Sequence, residues 1–176
     1  MPLDTLTTQP PQRSSPLAGT ALLAAGAAAF VWISGRSLPD IVGSHFAASG
    51  NATGFLPRAL YLRLTLIFVV LLPLAINLVA SLSLRSVNAR LNIPNRDYWL
   101  APERKAESVE FVRRQIARFS AMLMVFICYV HWLVVRANAL TPPLLSSPWF
   151  MAGLIAFLVS ALLWATNFLR RFRAVA

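Results

Sequence analysis

Two histidines, His45 and His131, are the side chains of this sequence expected to titrate near neutral pH, and Asp40 falls close to the first of them. Imidazole nitrogens and a carboxylate oxygen are good metal ligands, and a histidine pair can equally pass a proton. A metal site ordinarily takes three or four ligands, so Asp40, His45 and His131 make the minimal candidate set. The alternative gives His45 to a turn and His131 to an interfacial belt with Tyr129 and Trp132. Other chemistry has little to stand on. The acidic residues are Asp4, Asp40, Asp97, Glu103, Glu107 and Glu110, and none falls inside an apolar segment. No HExxH, GxSxG or P-loop pattern occurs. The lone Cys128 can form no internal disulfide and reads as a small buried hydrophobe. No catalytic residue and no cofactor is expected.

The elements that must position these residues are four apolar segments, residues 17–33, 60–83, 116–135 and 149–169. Each has the ~17–25 residues needed to cross a bilayer core. Hydrophobic residues make up 57% of the 176-residue chain and charged residues 12%. A net charge of +10 raises nucleic acid as a partner, but the basic residues flank apolar segments and intermix with Glu103, Glu107 and Glu110. Orientation signals and anionic lipid headgroups account for them, and nucleic acid is set aside. Threaded with both termini in the cytoplasm, that side holds Arg13, Arg85, Arg90, Arg96, Arg104, Lys105, Arg113, Arg114, Arg118, Arg170, Arg171 and Arg173. The outer side holds Arg36, Arg58, Arg63 and Arg136, a ratio of 12 to 4 among the 16 basic residues. This is the bias of the positive-inside rule.

The expectation is an all-α membrane protein with four transmembrane helices and both termini cytoplasmic. A leader (1–16) precedes a two-helix hairpin (17–83) whose outer loop (34–59) is structured. A cytoplasmic connection (84–115) carrying an amphipathic helix leads to a second hairpin (116–170) and a basic tail (171–176). Four glycines and two prolines in the outer loop predict defined turns and not a helix. Ala18, Ala21, Ala25 and Ala29, and again Ala152, Ala156 and Ser160, predict small faces for close helix approach, within the chain or across a homodimer. Pro73 predicts a kink in the second span, with Asn77 one turn on either to repair the backbone or to bond a neighbour.

In the connection, Pro102-Glu103 marks a helix start, and Val109, Val112, Ile116 and Phe119 share one face. Glu110 and Arg114 are spaced to pair. That helix either lies on the membrane surface or runs straight into the third span. Tyr98 and Trp99 are placed as headgroup anchors.

The outer-loop string Leu38-Pro39, His45-Phe46, Gly50 and Gly54-Phe55 resembles the domain of unknown function numbered 1648. That family's pattern is a Leu-Pro, a His-Phe and two spaced glycines between two membrane helices. The cytoplasmic string Asn92-Ile93-Pro94-Asn95-Arg96-Asp97-Tyr98-Trp99-Leu100 looks like the segment that follows this domain in short bacterial members. The domain also forms the N-terminal part of the immunity protein against the sporulation-delay toxin. The resemblance implies a multi-pass protein of the bacterial inner membrane, with His45, Phe46, Gly50, Gly54 and Phe55 acting together. On that basis the expected function is non-enzymatic binding of a membrane-protein partner, as accessory, sensor or immunity-type factor. The other expectation is metal or small-solute handling through the outer histidine pair.

Overall fold

The computed structural model describes residues 16–85 and 93–173. The leader, apart from Pro16, and residues 174–176 of the basic tail lie outside them, as do Arg13 and Arg90. Among the described residues, four helices are long and apolar enough to cross a membrane.

The first is α1 (Pro16–Ser34), which tightens into a 3-10 turn over Gly35–Ser37. Two strands follow, β1 (Ile41–Phe46) and β2 (Ala52–Pro57). The second span is α2 (Arg58–Leu66), a π-helical turn (Ile67–Leu71) and α3 (Leu72–Arg85). A single turn, α4 (Arg96–Trp99), precedes the long α5 (Pro102–Asn138), and α6 (Ser147–Arg173) is the fourth span.

The outer loop corrects the all-α expectation. It is an antiparallel β-hairpin with Ile41 opposite Pro57, Val42 opposite Leu56 and Gly43 opposite Phe55. Ile41-Val42 and Phe55-Leu56 are β-formers in a run too short to be read as strands against its glycines. Gly50 turns the chain with φ +89°, a conformation open to glycine. Val42 points inward and joins Leu38, Tyr61 and Val134 in a core cluster at this end of the bundle.

Amphipathic helix and third span are one continuous 37-residue helix, α5. At 1.5 Å per residue it is about 55 Å long, well beyond a ~30 Å hydrocarbon core. Its start follows the residues: Pro102 sits in the first turn, where its missing N–H costs nothing, and Glu103 faces the positive helix end. The Glu110–Arg114 pair forms at 4.0 Å.

In mid-bundle, Ala24, Ala27 and Val31 of α1 meet Val69 of the π turn and Met124 of α5. The buried stripe of α1 is therefore Thr20, Ala24, Ala27 and Val31. Ala18, Ala21, Ala25 and Ala29 are exposed, so the predicted face of α1 is not the one it buries, whereas Ala152, Ala156 and Ser160 of α6, exposed as well, line an open groove against α5. Nearly every residue of α1 is small or apolar, so spacing among alanines does not select a face.

Pro73 lies just beyond the π turn, where the helix accommodates a residue that cannot donate its N–H. Asn77 Nδ2 donates to the Pro73 carbonyl at 2.8 Å and to Ser120 Oγ at 2.6 Å, so it ties its own turn and reaches α5. By contrast α6 leans on α5, and Phe172 is the one residue along it that becomes buried.

Candidate functional site

His131 is 1% exposed and sits where α1, α2 and α5 converge. Tyr61 Oη lies 3.0 Å from Nδ1, and Ser34 Oγ lies 3.0 Å from Nε2. Ser34 donates its own proton to the Phe30 carbonyl. Its oxygen must then accept from Nε2–H, which leaves Nδ1 to accept from Tyr61. The polar chain thus runs from Tyr61 through His131 and Ser34 to a backbone carbonyl. This order is opposite to that of an activated serine, where histidine takes the hydroxyl proton. The Tyr61 ring stacks on the imidazole at 5.7 Å and Phe30 meets it edge-on at 6.1 Å. The imidazole is a buried cross-tie between three helices.

His45 is placed differently. It is exposed on β1, with Nδ1 3.1 Å from Ser44 Oγ. Gly54 makes room for it, since a Cβ there would lie 3.0 Å from His45 Nδ1. Phe46 packs on the cluster around Leu38 and Val42. Asp40 pairs with Arg58 at 3.0 Å. The proposed metal set is therefore not assembled. Among the described residues no three His, Cys, Asp or Glu side chains converge on one point. Of the resemblance residues, His45 and Gly54 touch directly, while Phe46, Gly50 and Phe55 serve the same hairpin at separate places.

The hairpin is held to the rest of the chain by residues that sequence reasoning passed over. Asn138, at the end of α5, accepts from the Gly43 N–H at 2.7 Å and donates to the Gly43 carbonyl at 2.9 Å. A third bond, to Val134 O at 2.9 Å, fixes its own helix turn. The turn of the hairpin meets the loop before α6. Leu145 N–H donates to Gly50 O at 2.8 Å, and Ser147 Oγ donates to Ala48 O at 2.9 Å.

No family model, curated protein or solved structure matches this chain.

At the other end of the bundle, the segment containing Asn95, Tyr98 and Trp99 closes on the end of α6. Trp99 Nε1 donates to Phe172 O at 3.0 Å, and Asn95 Nδ2 donates to the same oxygen at 3.1 Å. Asn95 has φ 52°, a left-handed conformation that asparagine tolerates better than most residues. Trp99 is buried among Leu84, Ile93, Val112 and Phe172. This corrects its assignment as a headgroup anchor: the indole is core, and its N–H is matched inside the protein. Tyr98 is half-buried beneath the Arg104 guanidinium, 4.1 Å from the ring centre. Arg171 stacks over Trp99 at 4.6 Å and pairs with Glu107.

Both ends of the bundle share one design. Polar side chains from one element satisfy backbone or side-chain groups of a distant one. Outward on the hairpin, alongside the polar His45, Asn51 and Thr53, stand two large apolar side chains, Ile41 59% and Phe55 53% exposed.

Proposed function

We propose that this chain is a non-enzymatic, multi-pass protein of the bacterial inner membrane, with both termini in the cytoplasm. It works by binding a second membrane protein, as an accessory, sensor or immunity-type factor. One observation carries the reading: a rigidly tied hairpin presents Ile41 and Phe55 outward. By register they are diagonal neighbours on one hairpin face. Exposed large apolar groups on an otherwise braced element are what a recognition surface requires. The immunity-type form of the reading rests on the resemblance of the strings around His45, Gly50 and Gly54 alone. The 12-to-4 distribution of basic residues supports the orientation.

The experiment is site-specific photo-crosslinking in native membranes, with the photoreactive residue at Ile41, at Phe55 or, as a lipid-facing control, at Leu78. A protein adduct shared by positions 41 and 55 and missing at 78 identifies the partner. Lipid adducts alone at 41 and 55, in correctly inserted protein, overturn the proposal.

A further inference from the structure

A second feature lies beside the hairpin and is independent of the partner reading. Trp32, Gly35 and Arg36 at the end of α1, with Arg58 and Leu62 at the start of the second span, line a cavity of about 330 Å³. That is at the small end of the ~300–1,000 Å³ typical of ligand pockets. Its back wall is tight, since a Cβ on Gly35 would lie 2.4 Å from Leu62 Cδ2. Two arginines, Arg36 and Arg58, line the cavity and no carboxylate does.

The two arginines play different parts. Arg58 is oriented: Nη2 lies 3.0 Å from Asp40 and Nη1 donates to the Leu38 carbonyl at 2.9 Å. Those bonds engage two of its five N–H donors. Arg36 is exposed, and among the described residues its side chain makes no ion pair or hydrogen bond. Counting Asp40, the group carries two positive charges and one negative, a net +1. Guanidinium forks match phosphate oxygens in charge and in planar geometry. The surroundings say what accompanies the phosphate. Trp32 is 54% exposed, and Ile33, Leu60 and Leu64 are exposed apolar side chains on the same two helix ends. The cavity thus sits where apolar surface gives way to charge, the level of a headgroup.

We infer that Arg36 and Arg58 form a phosphodiester-binding site that takes the headgroup of an anionic membrane lipid. Arg36 supplies the unengaged fork, Arg58 a fixed charge, and Trp32 the wall against the glycerol and upper acyl chain.

The test uses the full chain in nanodiscs of equal phosphatidylglycerol and phosphatidylcholine with identical acyl chains. Native mass spectrometry after release into mild detergent counts the lipids each molecule keeps. Wild type is expected to keep phosphatidylglycerol in clear excess. Arg36→Gln is expected to lower that retention about tenfold, the effect of one charge-assisted bond. It should do so with unchanged melting, because Arg36 braces nothing. Arg63→Gln removes the same charge from α2 outside the cavity and should keep the lipid. Inorganic phosphate is the second arm: a lipid unmoved by millimolar phosphate is the resident ligand, whereas its displacement assigns the site to a soluble phosphate. Equal retention of both lipids by wild type, or equal loss in Arg36→Gln and Arg63→Gln, overturns the inference.

Discussion

Asn138 offers its carboxamide to both backbone groups of Gly43, accepting from the N–H at 2.7 Å and donating to the carbonyl at 2.9 Å. The side chain stands in for a neighbouring strand on the open edge of β1. It also caps that edge at Gly43. Asn138→Ala leaves two half-buried peptide groups without these partners, which costs about 2 kcal/mol. Hydrogen exchange by mass spectrometry should show amides 41–57 exchanging at least tenfold faster, with the mid-bundle helices unchanged. Equal protection in the variant would mean the pairing is not what holds the hairpin.

Glycines supply an internally controlled series. Gly50→Ala meets two obstacles, a φ of +89° and a Leu145 carbonyl 2.2 Å from the new Cβ. A cost of about 1–3 kcal/mol is expected from the backbone conformation alone. Gly19→Ala has nothing within 4 Å and lies in a helix, where alanine is favoured by about 0.5–1 kcal/mol. Thermal unfolding in detergent should therefore fall for the first and hold or rise for the second.

The Tyr61–His131–Ser34 chain should behave as one unit. Tyr61→Phe leaves Nδ1 of a buried imidazole without its donor, at a cost of about 1–3 kcal/mol. In the Tyr61→Phe, His131→Phe double variant the losses should be less than additive, since each single change already breaks the same bond. His45→Ala, on an exposed strand position, should change stability by no more than about 0.5 kcal/mol. Zinc titrated into wild type and into both histidine variants is expected to leave all three melting curves where they were.

At the opposite end, Phe172→Ala removes a fully buried ring that touches Trp99, Phe111 and Phe168. The expected loss is about 3–5 kcal/mol. Limited proteolysis should then cut between α3 and α5 much faster than in wild type, while the hairpin stays resistant. Trp99→Phe keeps most of the packing and loses the bond to Phe172 O, so its effect should be smaller, about 1–2 kcal/mol.

Orientation has its own check. In a Cys128→Ala background, a membrane-impermeant maleimide should label Thr53→Cys on intact cells and Glu103→Cys after lysis only. The reverse pattern would invert the topology.

Much of the architecture was legible in composition, because a bilayer demands long apolar runs and tolerates few charges within them. The Pro73 irregularity and the Glu110–Arg114 pair were legible too, since both depend on near neighbours in sequence. What escaped were contacts whose partners are remote or generic. Ser34 and Tyr61 lie 97 and 70 residues from His131. Trp99 and Asn95 both find a backbone carbonyl, a group every residue carries, so nothing in the sequence marks Phe172 as their acceptor. Asn138 carried no signal of its own, because its role appears once β1 is beside it. The aligned alanines of α1 misled for a different reason: in a helix almost wholly small and apolar, the odd residues Thr20 and Val31 choose the inward face.

The bond from Trp99 to the Phe172 carbonyl sets a condition on biogenesis. The segment between α3 and α5 is made long before residue 172, yet its indole and the Asn95 amide find their acceptor at that late position. While the ribosome is still extending α6, these donors can only face water or headgroups. His131 likewise arrives 70 residues after Tyr61 and 97 after Ser34, so the first helical hairpin enters the membrane with its polar groups waiting. Insertion and closure are thus separate events for this chain. A copy stalled within α6 would sit in the bilayer with its hairpin end tied through His131 and Asn138 and the end that waits for Phe172 still unlocked.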